Sequence, residues 1–405
     1  MWLIRFEQAA LVGLGFVLPL LEAPKNLLWL AYVFLWLLNR ARARDFGGAW
    51  DRWDTVIAAW IASGFLSIPL GGISTGDWSA NNDVLRYGSV LWILKRSRYD
   101  EAALRPLFIA LAAGTLAALA WGYYGIASHE RYLLGLNSVG HVNHGAIYVA
   151  IVFGAVLAAA RAEWRSSTTP KQMLDLAVLA ILAISLGVMQ SRGALAAAAI
   201  AALVLLAIYS WRRGYGLRAI VVCGALGITA ITVVLAVKPE MLEKRDRWGT
   251  QLAIISYRDV IWRTGLAAWR EFPVFGVGTD NYSRIGLGDI ERWSAARGEV
   301  FDRTRYEPAP HAHNLFINTL AERGLVGLLS LGALLLILLA ELLRGIPQSN
   351  APPAHWAWWG GAASAWLISV LVGAVNTTLH HEHALLSVLF VGGWLALGRA
   401  HPSSG

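Results

Sequence analysis

Apolar stretches recur along the chain at 7–21, 26–39, 53–71, 83–95, 104–127, 143–160, 173–189, 194–210, 218–237, 315–340, 356–375 and 383–398, twelve in all. A straight crossing of the hydrocarbon core takes about 20 apolar residues, so the shorter stretches have soft boundaries. The pattern predicts an all-α integral membrane protein with about 12 transmembrane helices. Stretches 173–189 and 194–210 would form one run but for Gln190-Ser191-Arg192-Gly193. An Arg at the bilayer centre costs about 3 kcal/mol on insertion scales, so a turn at the interface is expected there. Met1 to Leu20 has no small-residue cleavage site and reads as a first span. A single long polar interval, 238–313, interrupts the pattern. The chain therefore divides into helices 1–9 (1–237), one large, partly helical loop (238–313), and helices 10–12 with a short tail (314–405).

Composition agrees: 57% of residues are hydrophobic and 15% charged, too little charge to cover a soluble chain of 405 residues. The one cysteine, Cys223, lies in an apolar run and excludes a disulfide framework. Twenty tryptophans suit interfacial belts or, at a site, stacking on sugars. If the N-terminus is cytoplasmic, the short loops on that side hold seventeen Lys and Arg, against four (Lys25, Arg86, Arg131, Arg192) on the other. Loops longer than about 60 residues do not count in this rule. Both termini are thus expected in the cytoplasm and the 238–313 loop outside it. No Walker A pattern and no D-x-D occur, the nearest being Asp289-Ile290-Glu291 in the outer loop. Neither a nucleotide nor a nucleic acid is implied as partner. Thirteen Lys and Arg against twelve Asp and Glu over 238–323 make the loop nearly neutral, so its cations must act locally.

Within that loop, Ala253 to Phe272 has the period of an amphipathic helix, stopped by Pro273 and followed by Gly276 and Gly278. Arg258, Trp262, Gly265 and Trp269 share one face of it. A guanidinium stacked on an indole stripe, or a helix lying on the lipid interface with a snorkelling Arg, both satisfy the pattern. A second helix is expected after Pro310, with His313-Asn314 in its first turn and Gly324 and Gly327 on the His313 face. Two glycines there would let another helix backbone come close. The positive end of the helix would hold the imidazole neutral. Taken alone, His313 is equally a cap or an interfacial histidine. His141 and His144, at i and i+3 on the outer side, are candidate substrate contacts. His380-His381-Glu382-His383 is too closely spaced for a metal and reads as polar interfacial residues, so no metal site is expected.

His313-Asn314, nine residues, Gly324, two residues, Gly327 resembles the H-[N/S/Q]-x9-G-x-x-[G/T/Y] signature of bacterial O-antigen ligases. The surroundings are similar too: Ser191-Arg192-Gly193 after a span, then Ser256, Arg258 and Trp262 followed by Pro273 and Gly276. The resemblance implies a GT-C-like membrane glycosyltransferase of the Gram-negative inner membrane, working at the periplasmic face. Such enzymes move a polysaccharide from undecaprenyl diphosphate to a sugar hydroxyl of lipid A–core, with inversion and without metal, nucleotide or other cofactor. Carried onto this chain, it implies His313 as general base and Arg258 and Arg192 on the diphosphate. Asn314, Trp262, Ser191, His141 and His144 become candidate substrate contacts, and Gly324, Gly327, Pro273 and Gly276 structural positions. An O-antigen polymerase shares the donor, but its R-x10-G repeats are missing from the 238–313 loop. A protein O-oligosaccharyltransferase is usually longer. A lipid-linked oligosaccharide flippase would place charged residues within its spans.

Overall fold

The computed structural model of the protein describes residues 2–73, 78–214 and 258–400. Among these residues every regular element is a helix. They are α1 (Trp2–Val17), α2 (Glu22–Ala43), α3 (Arg52–Leu70), α4 (Asn82–Arg96), α5 (Glu101–Ala127), α6 (Val142–Glu163), α7 (Thr169–Val188), α8 (Arg192–Arg212), α9 (Arg258–Glu271), α10 (Leu287–Ala296), α11 (Leu315–Arg344), α12 (Pro353–Gly373) and α13 (His381–Ala400). Eleven of the twelve apolar stretches coincide with helices, and the stretch 218–237, like Cys223, Ser256 and the expected start of the loop helix at Ala253, lies outside the described residues. Six helices (α3, α5, α6, α7, α8 and α11) are long and apolar enough by themselves to cross a membrane. The break expected between 189 and 194 is present: α7 ends at Val188, Gln190 takes a left-handed φ of 55°, and α8 begins at Arg192.

Local chemistry accounts for several of the starts. Asp51 caps α3 by accepting from the Trp53 and Asp54 amides, while the Asp54 carboxylate accepts from the Asp51 amide, a reciprocal box. Asp100 caps α5 through the Ala103 amide. In the middle of the bundle, α6 and α12 pack along each other and are buried on nearly all faces, whereas α7 leaves most of its apolar surface outward. An all-round apolar helix belongs inside and a one-sided one at the periphery.

Bonds between loops join ends that the charge count puts on one side. At one end of the bundle Arg52 pairs with Glu341, Lys95 with Asp54 at 2.8 Å, Lys171 with Glu163 at 2.9 Å, and Arg212 donates to the Ile346 carbonyl. At the other end buried Lys25 pairs with Glu22 at 2.6 Å and with Glu382. Buried charges within the bundle, not expected from the sequence, are therefore present: Asp54 pairs with Lys95 and Arg96 at one end, and Glu382 pairs with Lys25 at the other. A buried ion left without its partner costs several kcal/mol, so these groups hold the helix ends in register.

A second, smaller core built from α9, α10 and the connections around them sits on that second end, with Ala267, Ala268, Val277, Tyr282, Ile285, Ile290, Ala312 and Ala321 buried together. Its anchorage differs from the expected helix face at Gly324 and Gly327. Gly324 has φ 60° and ψ −157°, a conformation open only to glycine, and breaks α11. Residues 273–278 run into the break: Val277 and Gly278 donate to the carbonyls of Ala321 and Glu322 (2.8 and 2.9 Å), and Leu325 and Val326 donate to those of Pro273 and Val274 (2.9 and 3.2 Å). A Cβ on Gly324 would lie 2.3 Å from the Val274 carbonyl, and one on Gly276 2.4 Å from the Ala321 oxygen. Close backbone approach is thus what these glycines provide, but to a non-helical strap rather than to a helix. Gly327 makes room for the Arg323 side chain, whose Cβ would stand 2.2 Å from a Cβ placed there.

Gly324→Ala is expected to lose at least about 1–3 kcal/mol from backbone strain alone. Gly332→Ala, at a position with open space around it, should leave stability unchanged. Thermal unfolding of the two variants in detergent micelles checks the difference.

Candidate functional site

His313 does not stand in the first turn of α11. Asn314 is the N-cap, its Oδ1 accepting from the Phe316 and Ile317 amides at 2.9 and 3.0 Å. His313 precedes it with a left-handed φ of 49°, an uncommon position for a residue other than glycine. The other half of the Asn314 amide donates to the Ala374 carbonyl at 2.8 Å. Asn314 is therefore engaged in fixing this turn against the α12–α13 connection. Two residues on, Asn376 Oδ1 accepts from the Thr377 amide at 2.9 Å and lies 3.4 Å from His313 Nδ1. That Asn376 oxygen already accepts from a backbone N–H, so it suits a donor Nδ1–H, the tautomer that leaves Nε2 to accept.

The same connection borders the start of α8. A Cβ on Gly193 would lie 3.4 Å from Val375, one residue before Asn376. Ser191 is the N-cap of α8, buried, with no cap bond from its side chain, and Arg192 opens the helix as an exposed residue. Arg258, at the start of α9, has its pKa lowered by burial and by the positive charge of Arg192. Two guanidiniums thus stand close enough to repel, at a helix N-terminus, and among the described residues neither has a carboxylate partner. A helix N-terminus such as that of α8 favours negative charge. Trp262, one turn after Arg258 on α9, lines a cavity of about 340 Å³ with Arg263, Arg270, Arg305 and Tyr306. Gly265 faces inward, where a Cβ would meet Ile317 and Tyr282 at about 3 Å, and so lets α9 pack on α11.

Seven histidines meet around this point, more than the sequence reading assembled. The His144 ring lies 4.9 Å from His381, 5.3 Å from His383, 6.3 Å from His141 and His380 and 6.4 Å from His311. His311 in turn lies 4.2 Å from His313. His141 caps α6 by accepting from the Asn143 amide at 3.2 Å. In the stretch 380–383, His380 and His381 are half-buried and Glu382 and His383 are buried, and both ring nitrogens of His383 lack a hydrogen-bond partner among the described residues. No group of three or more His, Cys, Asp or Glu among the described residues has the geometry to hold a metal ion. Burial, with His313, His381 and His141 around it, pushes the His311 imidazole down to about 4, and burial with His381, His311 and Arg323 pushes His380 down to about 3. Both are neutral at pH 7.

His311, His380 and His381 also line a cavity of about 690 Å³, bounded by α3, α4, the 279–283 segment and the first turns of α11. Asp83, Arg86, Asp280, Glu322 and Arg323 line it as well. None of the five stands in a sequence motif, and Arg86 enters the sequence only as one of the outer-side cations. Glu322-Arg323 stands directly before the signature Gly324, the one signal that could have pointed to them. Arg192, Arg258 and His313 do not line this cavity.

The family described as O-antigen ligase matches residues 177–332. The match includes Arg192, Arg258, His313, Asn314, Gly324 and Gly327, and leaves out His141, His144 and the histidines after 379. No curated protein matches the sequence.

Histidines whose folded pKa lies below the unfolded value of 6.5 contribute stability that is complete above that value and is lost as pH falls toward the folded pKa. Thermal stability in detergent should therefore decline from about pH 6.5 to about pH 4. The double variant His311→Gln, His380→Gln should show a shallower decline over the same range.

Proposed function

Since residues 177–332 carry the domain of the O-antigen ligase family, we propose that the chain is an inverting ligase of the GT-C-like class. It transfers polysaccharide from undecaprenyl diphosphate to a sugar hydroxyl of lipid A–core, at the periplasmic face of the Gram-negative inner membrane. Twelve spans with both termini cytoplasmic put the α8 N-terminus, α9 and His313 on that face. The observation that carries the reading is the couple Arg192 and Arg258, which among the described residues has no carboxylate ion pair, with the α8 start against the connection whose Asn376 meets His313.

The donor brings its own activation, so the protein has two tasks. His313 Nε2 takes the proton of the acceptor hydroxyl as the oxygen bonds to the anomeric carbon. The glycosyl–phosphate bond breaks on the opposite face, and undecaprenyl diphosphate leaves with the electron pair. Arg192 and Arg258 hold the charge that builds on it: a guanidinium stays protonated and binds phosphate oxygens through two parallel N–H groups. In a partly dry site this charge term is as large as the base term or larger. Asn376 keeps the imidazole in the tautomer that accepts at Nε2, as second partners of a catalytic His do.

Purified protein, undecaprenyl-diphosphate polymer and rough lipopolysaccharide, with EDTA and no nucleotide, should give a ladder on lipid A–core. His313→Ala should slow it by about 10²–10⁴ at equal protein level. Near-wild-type transfer by that variant would remove His313 as base, and extension of the lipid-linked donor in place of core decoration would make the chain a polymerase.

A further inference from the structure

We propose that the 690 Å³ cavity bounded by α3, α4, residues 279–283 and the first turns of α11 binds the acceptor as a hydroxyl-rich, weakly charged saccharide, an assignment that rests on the ligase reading above. Its size falls in the range of about 300–1,000 Å³ usual for ligand sites. The rim is exposed at Asn82, Asp280 and Ser283, so a soluble head group can enter from the end of the bundle that carries His313. The floor is buried at Trp60, Tyr87 and Glu322, which supply two aromatic surfaces and a carboxylate. Sugars are recognised by that combination: carboxylates and amides pair with neighbouring hydroxyls, and the apolar face of the ring lies on an aromatic side chain.

Charge separates this cavity from the diphosphate site. Asp83, Asp280 and Glu322 are set against Arg86 and Arg323, with Asp83 and Arg86 3.5 Å apart. Such a balance does not collect a polyanion, whereas the Arg192–Arg258 couple does. The two sites adjoin through the imidazoles. His311 lines the cavity, its ring is 4.2 Å from that of His313, and His313 Nδ1 lies 3.4 Å from Asn376, one residue after Val375 at the α8 start. Inversion requires the nucleophile and the leaving group on opposite faces of the anomeric carbon. An acceptor in the cavity and a diphosphate on the two arginines would occupy separate seats, as that requirement demands, with His311 on the wall of the cavity.

Ser283→Trp fills the exposed rim without touching the buried floor, Asp83→Asn removes one rim carboxylate, and Glu322→Gln tests the floor. Initial rates against each substrate should show the acceptor KM raised at least tenfold in Ser283→Trp and Asp83→Asn, with the donor KM within twofold of wild type. An unchanged acceptor KM in both, or a rise in donor KM instead, overturns the proposal. Binding of delipidated core oligosaccharide, followed by saturation-transfer NMR in detergent, should persist in wild type and His313→Ala and disappear in Ser283→Trp. Equal binding by Ser283→Trp also overturns it. This second readout needs no turnover, so loss of the ligase reading and loss of the acceptor site give different results.

Discussion

Four backbone hydrogen bonds between residues 273–278 and the break in α11 at Gly324 hold the outer core to the membrane bundle. Amide pairing of this kind is directional and tolerates little displacement, and it is available only because two glycines let main chain meet main chain. A second pair of bonds, from Gly72 and Ile73 to the carbonyls of Gly276 and Val277, ties the end of α3 to the same strap. The position of α9 follows, since Gly265 seats it on Ile317 and Tyr282 just above the break. With α9 in place, Arg258 is brought to Arg192, a residue more than sixty positions earlier in the chain. The arginine couple is thus a consequence of the strap.

Charge is handled differently at the two ends of the bundle. Where Asp54 meets Lys95 and Arg96, the buried ions are fully matched, and the Arg96 guanidinium also donates to the Phe46 and Gly48 carbonyls at 2.8 Å. Such a cluster locks helix ends and has nothing left over for a ligand. At the other end Lys25, Glu22 and Glu382 play the same locking part. Around them, among the described residues, no ion pair to a carboxylate holds Arg192 or Arg258, and His144 Nδ1 and both His383 ring nitrogens have no hydrogen-bond partner. Polar groups left over in this way, rather than the amount of charge, distinguish the candidate site from structural ion pairs.

The histidine signature is better understood as three separate devices than as one face of a helix. His313 supplies the imidazole, in a left-handed turn outside the helix. Asn314 closes that turn against Ala374. Gly324 and Gly327 serve the strap and the Arg323 side chain. Their fixed spacing reflects the length of chain between the turn and the break, not a shared helical face. Once the break is present, angles counted around a continuous helix axis lose their meaning.

The sequence alone determined the class of the protein: apolar periodicity and length mark the helices, the Gln190–Gly193 interruption separates α7 from α8, and Pro273 marks the end of α9. These features act over a few residues, so they are legible without a partner. The loop cations and the signature likewise singled out Arg192, Arg258 and His313 as residues of interest. Tertiary structure alone decided that His144, His311 and His380–His383 surround one point, that Asp83, Asp280 and Glu322 share a cavity, and that α11 breaks at Gly324. Each of these depends on contacts between segments far apart in the chain, and the break depends on hydrogen bonds offered by residues some fifty positions away. No local propensity encodes such a partner, so no window of sequence could have displayed it.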